Sequence, residues 1–251
     1  MRKNFTRQSF DITARIETMR FDGTVLFENL ELFIPKNTWT CLLGLSGVGK
    51  STLLKLVAGL ATGDAITEFE CSDGTALAGR VAYMGQQDLL LPWLSVIDNV
   101  LLGDRLRTSH EPIRLGNAYE LLDRVGLRAY AAELPVKLSG GMRQRAALVR
   151  TLMEDKPVVV MDEPFSALDA ITRLKLQDMA ADLLTNRTVF LVTHDPLEAL
   201  RLGGHIILMS GRPAQLEPIA ELSGATPRDA TDQLVLEQHA KILNRMQAEL
   251  S

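Results

Sequence analysis

With 251 residues, 46% of them hydrophobic, the chain is long enough for one large α/β domain or two small ones, and it buries a real core rather than staying disordered. Its 27 basic and 31 acidic residues are spread along the sequence and leave a net charge of -4, which gives no electrostatic footprint for wrapping nucleic acid. Cys41 and Cys71 are too few for a disulfide framework and too far apart for a zinc pair; both read as reduced packing thiols.

The basic run from Met1 to Arg7 is followed by no apolar stretch of signal-peptide length, so a protein that stays in the cytosol is expected. Alternation from Phe21 to Phe33, and again from Glu68 to Tyr83, predicts an antiparallel β layer flanking the core. Trp39 to Leu43 is apolar on both faces, as are Val158 to Met161, Val189 to Val192 and Ile206 to Met209. Such runs predict buried strands of a mostly parallel sheet covered by helices.

Directly after the first of these strands comes Gly44-Leu45-Ser46-Gly47-Val48-Gly49-Lys50-Ser51-Thr52, opening a helix-like run to Val57. A polyphosphate needs several amide hydrogens converging on it without side chains in the way; glycines let the loop curl, and the helix N-terminus faces the anion. Lys50 adds a positive charge for the β and γ phosphates, and the Ser51 hydroxyl suits a magnesium ion.

From about residue 88 to 150, Leu, Ile and Val recur at helical spacing, which reads as an inserted helical subdomain. The apolar stretch Leu89 to Leu102 is interrupted by Pro92, Ser95, Asp98 and Asn99, whereas a membrane span needs about 20 apolar residues. Any membrane association must then go through a partner. Within this region Leu138-Ser139-Gly140-Gly141-Met142-Arg143-Gln144-Arg145 opens another helix, so Ser139 with Gly140 and Gly141 offers a second hydroxyl and more bare amides at a helix N-terminus. One ATP has no need of two such cradles.

Val158 to Met161 delivers Asp162 and Glu163 at its end, on opposite sides because strand residues alternate. Asp162 then holds magnesium through water, while Glu163 faces the attacking water as general base. After Gly211 the prolines at 213, 218 and 227 precede a polar helix-like run from about Thr231 to Leu250, capped by Asp229 or Thr231.

The second cradle resembles the signature motif of ABC (ATP-binding cassette) ATPases, in which one subunit's signature closes over the γ-phosphate held by the other. The resemblance covers the chain to about residue 211. It implies a P-loop NTPase core with residues 1–220 as the nucleotide-binding domain, and 221–251 as a short helical tail. It further implies that Phe21 stacks on adenine and that Gln86, placed by its distance to Pro92 and preferred over Gln87, senses magnesium and water. Ser166 to Asp169 resembles the loop that touches the opposing subunit, and His194 the γ-phosphate-contacting histidine. On the residues alone, Phe21 also serves as β-layer packing, Gln86 as a surface loop residue and His194 as a strand-end histidine.

Met142 stands where the family's usual glutamine would be, and is expected to alter packing between subunits rather than phosphate contact. Trp93 is either a residue of the groove that receives a membrane subunit or a core tryptophan. His110, His205 and His239 match nothing and read as structural.

The resemblance implies ATP and Mg2+ as cofactors and ATP hydrolysis as the activity. The partners it implies are a second ATPase subunit, making a homodimer, and integral membrane permease subunits, with a solute-binding protein reached indirectly and no nucleic acid. The expected location is the cytoplasmic face of the inner membrane. The wording Leu90-Leu91-Pro92-Trp93-Leu94-Ser95-Val96, together with the signature ending Gly140-Gly141-Met142-Arg143-Gln144-Arg145, is similar to bacterial importers of nitrate, sulfonates, taurine or thiamine-related pyrimidines. The alternative is a soluble ABC ATPase of DNA repair or translation. The former would carry a long coiled coil between Lys50 and Asp162, here only 112 positions apart, and the latter two cassettes rather than one.

Overall fold

A computed structural model describes residues 9–21, 23–61, 63–107 and 114–248; the basic N-terminal run and His110 lie outside them. The chain forms two compact units: residues 1–81, 157–162 and 185–251, and residues 82–156 with 163–184. No helix among the described residues is long and apolar enough to cross a membrane.

The first unit holds an antiparallel sheet and most of a second, mixed one. β1 (Ile12–Phe21), β2 (Thr24–Ile34) and β4 (Asp64–Cys71) make an antiparallel sheet with β1 in the centre. Alternation explains it: Ile12, Ala14 and Ile16 are buried, while Arg15 and Glu17 face outward. Arg15 there lies opposite Glu31 on one side and Glu68 on the other, the cross-strand charge pairing that such a face favours.

The second sheet has the order β5 (Val81–Met84), β6 (Val158–Asp162), β7 (Thr188–Val192), β3 (Trp39–Gly44), β8 (His205–Ser210), β9 (Gln215–Glu221). β3 is its hub, parallel to both β7 and β8, and β6 runs parallel to β7. Every residue of β3, β6 and β7 is buried, which is why these strands read as unbroken apolar runs. Each buried Val or Leu contributes about 1.5–3 kcal/mol. α1 (Lys50–Val57) packs on β3, β6 and β7 through Leu53, Leu54 and Leu56.

Two sequence expectations need correction here. The stretch Glu68 to Tyr83 does not belong wholly to the antiparallel layer: β4 ends at Cys71, and β5 (Val81–Met84) joins the other sheet after a turn at Asp73 and Gly74. The segment after Gly211 contains a further strand, β9 (Gln215–Glu221), antiparallel to β8; Pro218 hid it.

The tail is not set apart from the first unit. The Arg228 guanidinium donates to the carbonyls of Leu200 and Gly203 at the end of α7 (Pro196–Leu202), and to those of Leu222 and Ser223 after β9. A cation at that helix end is also favoured by the helix dipole. α8 (Gln233–Ala248) then packs on α7 through Val235 and Ile242, and Asp232, rather than Asp229 or Thr231, accepts from its first turn.

The second unit is helical: α2 (Val96–Val100), α3 (Leu102–Leu106), α4 (Leu115–Arg124), α5 (Gly140–Met153) and α6 (Ala170–Leu183). Val96, Val100, Leu122, Val125, Ala146 and Val149 form its core. Buried Asn99 fixes the preceding loop, donating to the carbonyls of Leu91, Leu94 and Ser95 and accepting from the Leu91 amide. α6 belongs to this unit as well, beyond the stretch 88–150.

Candidate functional site

In the first unit, β3 runs straight into the glycine-rich loop. A Cβ on Gly44 would run into the Met209 carbonyl oxygen of β8, and Gly49 sits at φ 110° with its Cβ position 3.0 Å from the Phe27 ring. The loop is therefore shaped by close packing on the Phe27 ring of β2 and the Met209 carbonyl of β8. Ser46 and Gly47 are exposed, Leu45, Val48 and Gly49 are half-buried, and the loop's outer side is open.

Lys50 is buried, and its Nζ donates to the carbonyls of Gly44 at 2.8 Å and Leu45 at 2.9 Å. The ammonium thus crosses the loop from inside and holds a cation at its mouth. Ser51 Oγ donates to Asp162 Oδ1 at 2.9 Å, joining the start of α1 to the end of β6, with Thr52 half-buried beside it. A hydroxyl and a carboxylate oxygen in contact are the hard oxygen pair that magnesium takes together with phosphate oxygens and water. The residues present therefore fit a magnesium polyphosphate.

His194 is exposed two residues beyond β7. Its neighbours fix the turn: Thr193 Oγ1 accepts from the Asp195 amide, and Asp195 caps α7 by accepting from Leu197 at 2.9 Å. Phe21 ends β1 and is 48% exposed, which leaves one side of its ring open.

The second unit begins its share at Glu163; the division between units falls at the Asp162–Glu163 peptide. Glu163 adopts φ 45°, a left-handed conformation that costs a non-glycine residue on the order of 1–2 kcal/mol. The turn is held by Ser166, whose Oγ and amide donate to the Glu163 carbonyl. Strain of this kind, over-determined by its surroundings, concentrates at functional sites. Exposed Gln86 reaches the same residue, its Nε2 3.4 Å from Glu163 Oε2.

Ser139 caps α5, its Oγ accepting from the Met142 amide at 3.3 Å, and Ser139 and Gly140 are exposed. Gly141 is half-buried against Thr172 at the start of α6, whose own cap is Asp169. Ser139, Asp169 and Asp195 thus each double as helix caps, a structural duty that their motifs alone do not reveal. Met142 is packed against the helical unit's own core, a duty that the expectation of altered packing between subunits left out; a thioether fills such a gap readily. Trp93 is 71% exposed, which removes the core reading.

Sequence reasoning missed the residues that hold Gln86 and Ser139 in place. Gln144 donates to the Gln86 carbonyl, and Arg143 and Arg150 bind the residues just after it. No sequence signal set them apart, since Arg143, Gln144 and Arg150 read as polar positions of an ordinary helix.

Compared with known proteins, the chain matches the model of the ABC transporter family over residues 27–166. It is 45% identical to an uncharacterized ABC transporter ATP-binding protein of Haemophilus influenzae, over 76% of this chain and 79% of that one. It is 38% identical to an aliphatic sulfonates import ATP-binding protein of Burkholderia cenocepacia, over 94% of this chain and 87% of the other. Among solved structures, a dimeric ATP-binding cassette in a post-hydrolysis state, bound to ADP and Pi, superposes with a TM-score of 0.67 at 25% identity, covering 84% of this chain and 100% of that one.

Proposed function

The chain belongs to the ABC transporter family as one of its ATP-binding proteins, and from that premise we propose that it powers a bacterial importer of a small organic solute or anion. It binds and hydrolyses ATP, the chemistry of its family. In our reading two copies sandwich two nucleotides on the cytoplasmic face of the membrane, with residues 1–220 as the nucleotide-binding domain and 221–251 as a tail. Integral permease subunits and, through them, a solute-binding protein complete the assembly. Sulfonates are the solute named for relatives, and an organic anion of that kind is the cargo we favour.

The observation that carries this reading is the Ser51–Asp162 contact beneath the loop closed by Lys50. Amides from Gly44 to Thr52 would receive the phosphates, with Lys50 opposing their charge; Phe21 would cover the adenine. Ser51 and Asp162 would hold magnesium, with Gln86 reporting on it. Bound magnesium supplies neutralisation of the charge that develops on the transferred phosphoryl group. Glu163 polarises water as general base, and His194 orients the γ-phosphate side. Ser139, Gly140 and Gly141 complete the partner copy's site through a hydroxyl and backbone amides. Closure on ATP and opening after hydrolysis rock the permease.

Glu163→Gln should leave MgATP affinity intact while turnover falls by about 100-fold or more. Turnover within threefold of the parent would sink the assignment of the base. Tagged protein recovered from detergent-solubilised membranes of its host should bring a polytopic membrane protein with it. Recovery of ribosomes or DNA-repair proteins instead would leave the ATPase standing and overturn the transport role.

A further inference from the structure

We propose that Arg143, through Asp88, is a positioning residue that locks the loop carrying Gln86 to the loop carrying Ser139, so that the two shift as one body. The proposal rests on the reading above, in which both loops serve ATP turnover.

Arg143 holds both loops with one guanidinium. Its Nε donates to Asp88 Oδ2 at 3.0 Å, and one terminal nitrogen donates to the Leu138 carbonyl at 2.9 Å, immediately before Ser139. A guanidinium is a rigid planar fork, so Asp88 cannot move by an ångström without breaking one bond or dragging the other. Asp88 is itself well fixed: its second oxygen accepts from the Leu90 amide at 3.0 Å.

The other polar side chains of α5 extend the clamp in both directions. Arg150, seven residues on and so on the same helix face, donates to the carbonyls of Asp88 and Leu89, each at 2.7 Å. Those bonds restrain Leu89, which has the left-handed φ of 48°. Gln144 holds the Gln86 carbonyl at 3.1 Å. Toward the signature, Arg145 donates to the carbonyls of Gly141 and Val125. A displacement of exposed Leu89 is thereby passed toward Ser139 through Arg150, α5 and Arg143.

Hydrogen–deuterium exchange of the full-length chain, read in peptides spanning 84–92 and 136–144, tests this. Asp88→Asn keeps the shape and the acceptor for the Leu90 amide but removes the acceptor for Arg143. It should raise exchange at least threefold in 136–144, a segment that the substitution does not touch, and Arg143→Gln should raise it in both segments. MgATP affinity stays within twofold in both variants while turnover falls about tenfold, a split that general unfolding would not give. Exchange changes confined to the substituted loop would overturn the proposal. Glu163→Gln, run alongside, separates the two failures: its loss of turnover beside unaffected Asp88→Asn and Arg143→Gln keeps the catalytic reading and removes the positioning one. If Glu163→Gln keeps turnover, the catalytic reading falls and the exchange data still decide the clamp.

Discussion

The phosphate loop and the signature segment are both glycine-bearing turns that open a helix and are tied back by side chains of that helix, yet they differ in how closely their first glycine is walled in. The first is wedged between two strands: the Met209 carbonyl of β8 leaves no room beside Gly44 and the Phe27 ring of β2 little beside Gly49, with Lys50 bonded back to the loop's own carbonyls. The second leaves open space around Gly140, meets Thr172 of α6 only at Gly141, and is tied to its own helix by Arg143 and Arg145. A loop wedged between two strands is a fixed receptor. A turn with open space around its first glycine can be displaced as a unit, which suits a part that must close and open.

The sharpest way to break that comparison is a pair of alanine substitutions. Gly44→Ala pushes a methyl into the Met209 carbonyl, so the loop must shift and MgATP affinity should fall by more than 100-fold. Gly140→Ala meets nothing within 4 Å, so folding and MgATP affinity of the single chain should be unchanged, with loss seen only in turnover. Equilibrium nucleotide binding on both variants decides it; equal losses would erase the distinction between the two turns.

A smaller effect is expected at the thiols, which report on the first unit alone because both cysteines lie there. Burial pushes the Cys41 thiol far up, reinforced by Glu198 and only partly offset by Arg228, and burial raises Cys71 too. Since the thiolate is the reactive form, a disulfide reagent at pH 8 should label neither until the chain is unfolded. Labelling of Cys41 at the rate of a free thiol would mean that β3, the strand feeding the phosphate loop, opens in the native state.

The same contrast explains what could be read from the chain. Buried parallel strands announce themselves as apolar runs, and the turn between Leu43 and Lys50 is legible because only glycines satisfy it. The carboxylates at 162 and 163 were legible as the end of such a run. Illegible were β9, whose Pro218 reads as a strand breaker, and Arg228, whose bonds to the Leu200 and Gly203 carbonyls reach back 28 and 25 positions. Also illegible was the clamp on Gln86, because Arg143, Gln144 and Arg150 read as an ordinary polar helix face until the fold brings residues 86–90 against them. Side-chain to backbone bonds across about 50 or more positions leave no periodicity to find.

The smallest expected effect concerns the second unit's dependence on side-chain pairs. Burial alone would raise the Asp104 carboxyl, but hydrogen bonds from Arg114 and Arg107 outweigh it and hold it at about 2. Arg107 also bonds Glu154 at 2.7 Å, next to the end of α5, so Asp104 secures the far end of the helix whose near end carries the signature. A carboxyl held below its unfolded value of 3.8 contributes stability that is fully present above about pH 4 and is lost as pH falls through 2. Asp104→Asn should therefore destabilise the protein by on the order of 1–2 kcal/mol at pH 7 and by progressively less below pH 4. Chemical denaturation of parent and variant at pH 7, 4 and 3 checks the sign. A deficit that stayed constant down to pH 3 would mean that Asp104 acts through shape rather than charge, and that the helical unit leans on its ion pairs less than its geometry implies.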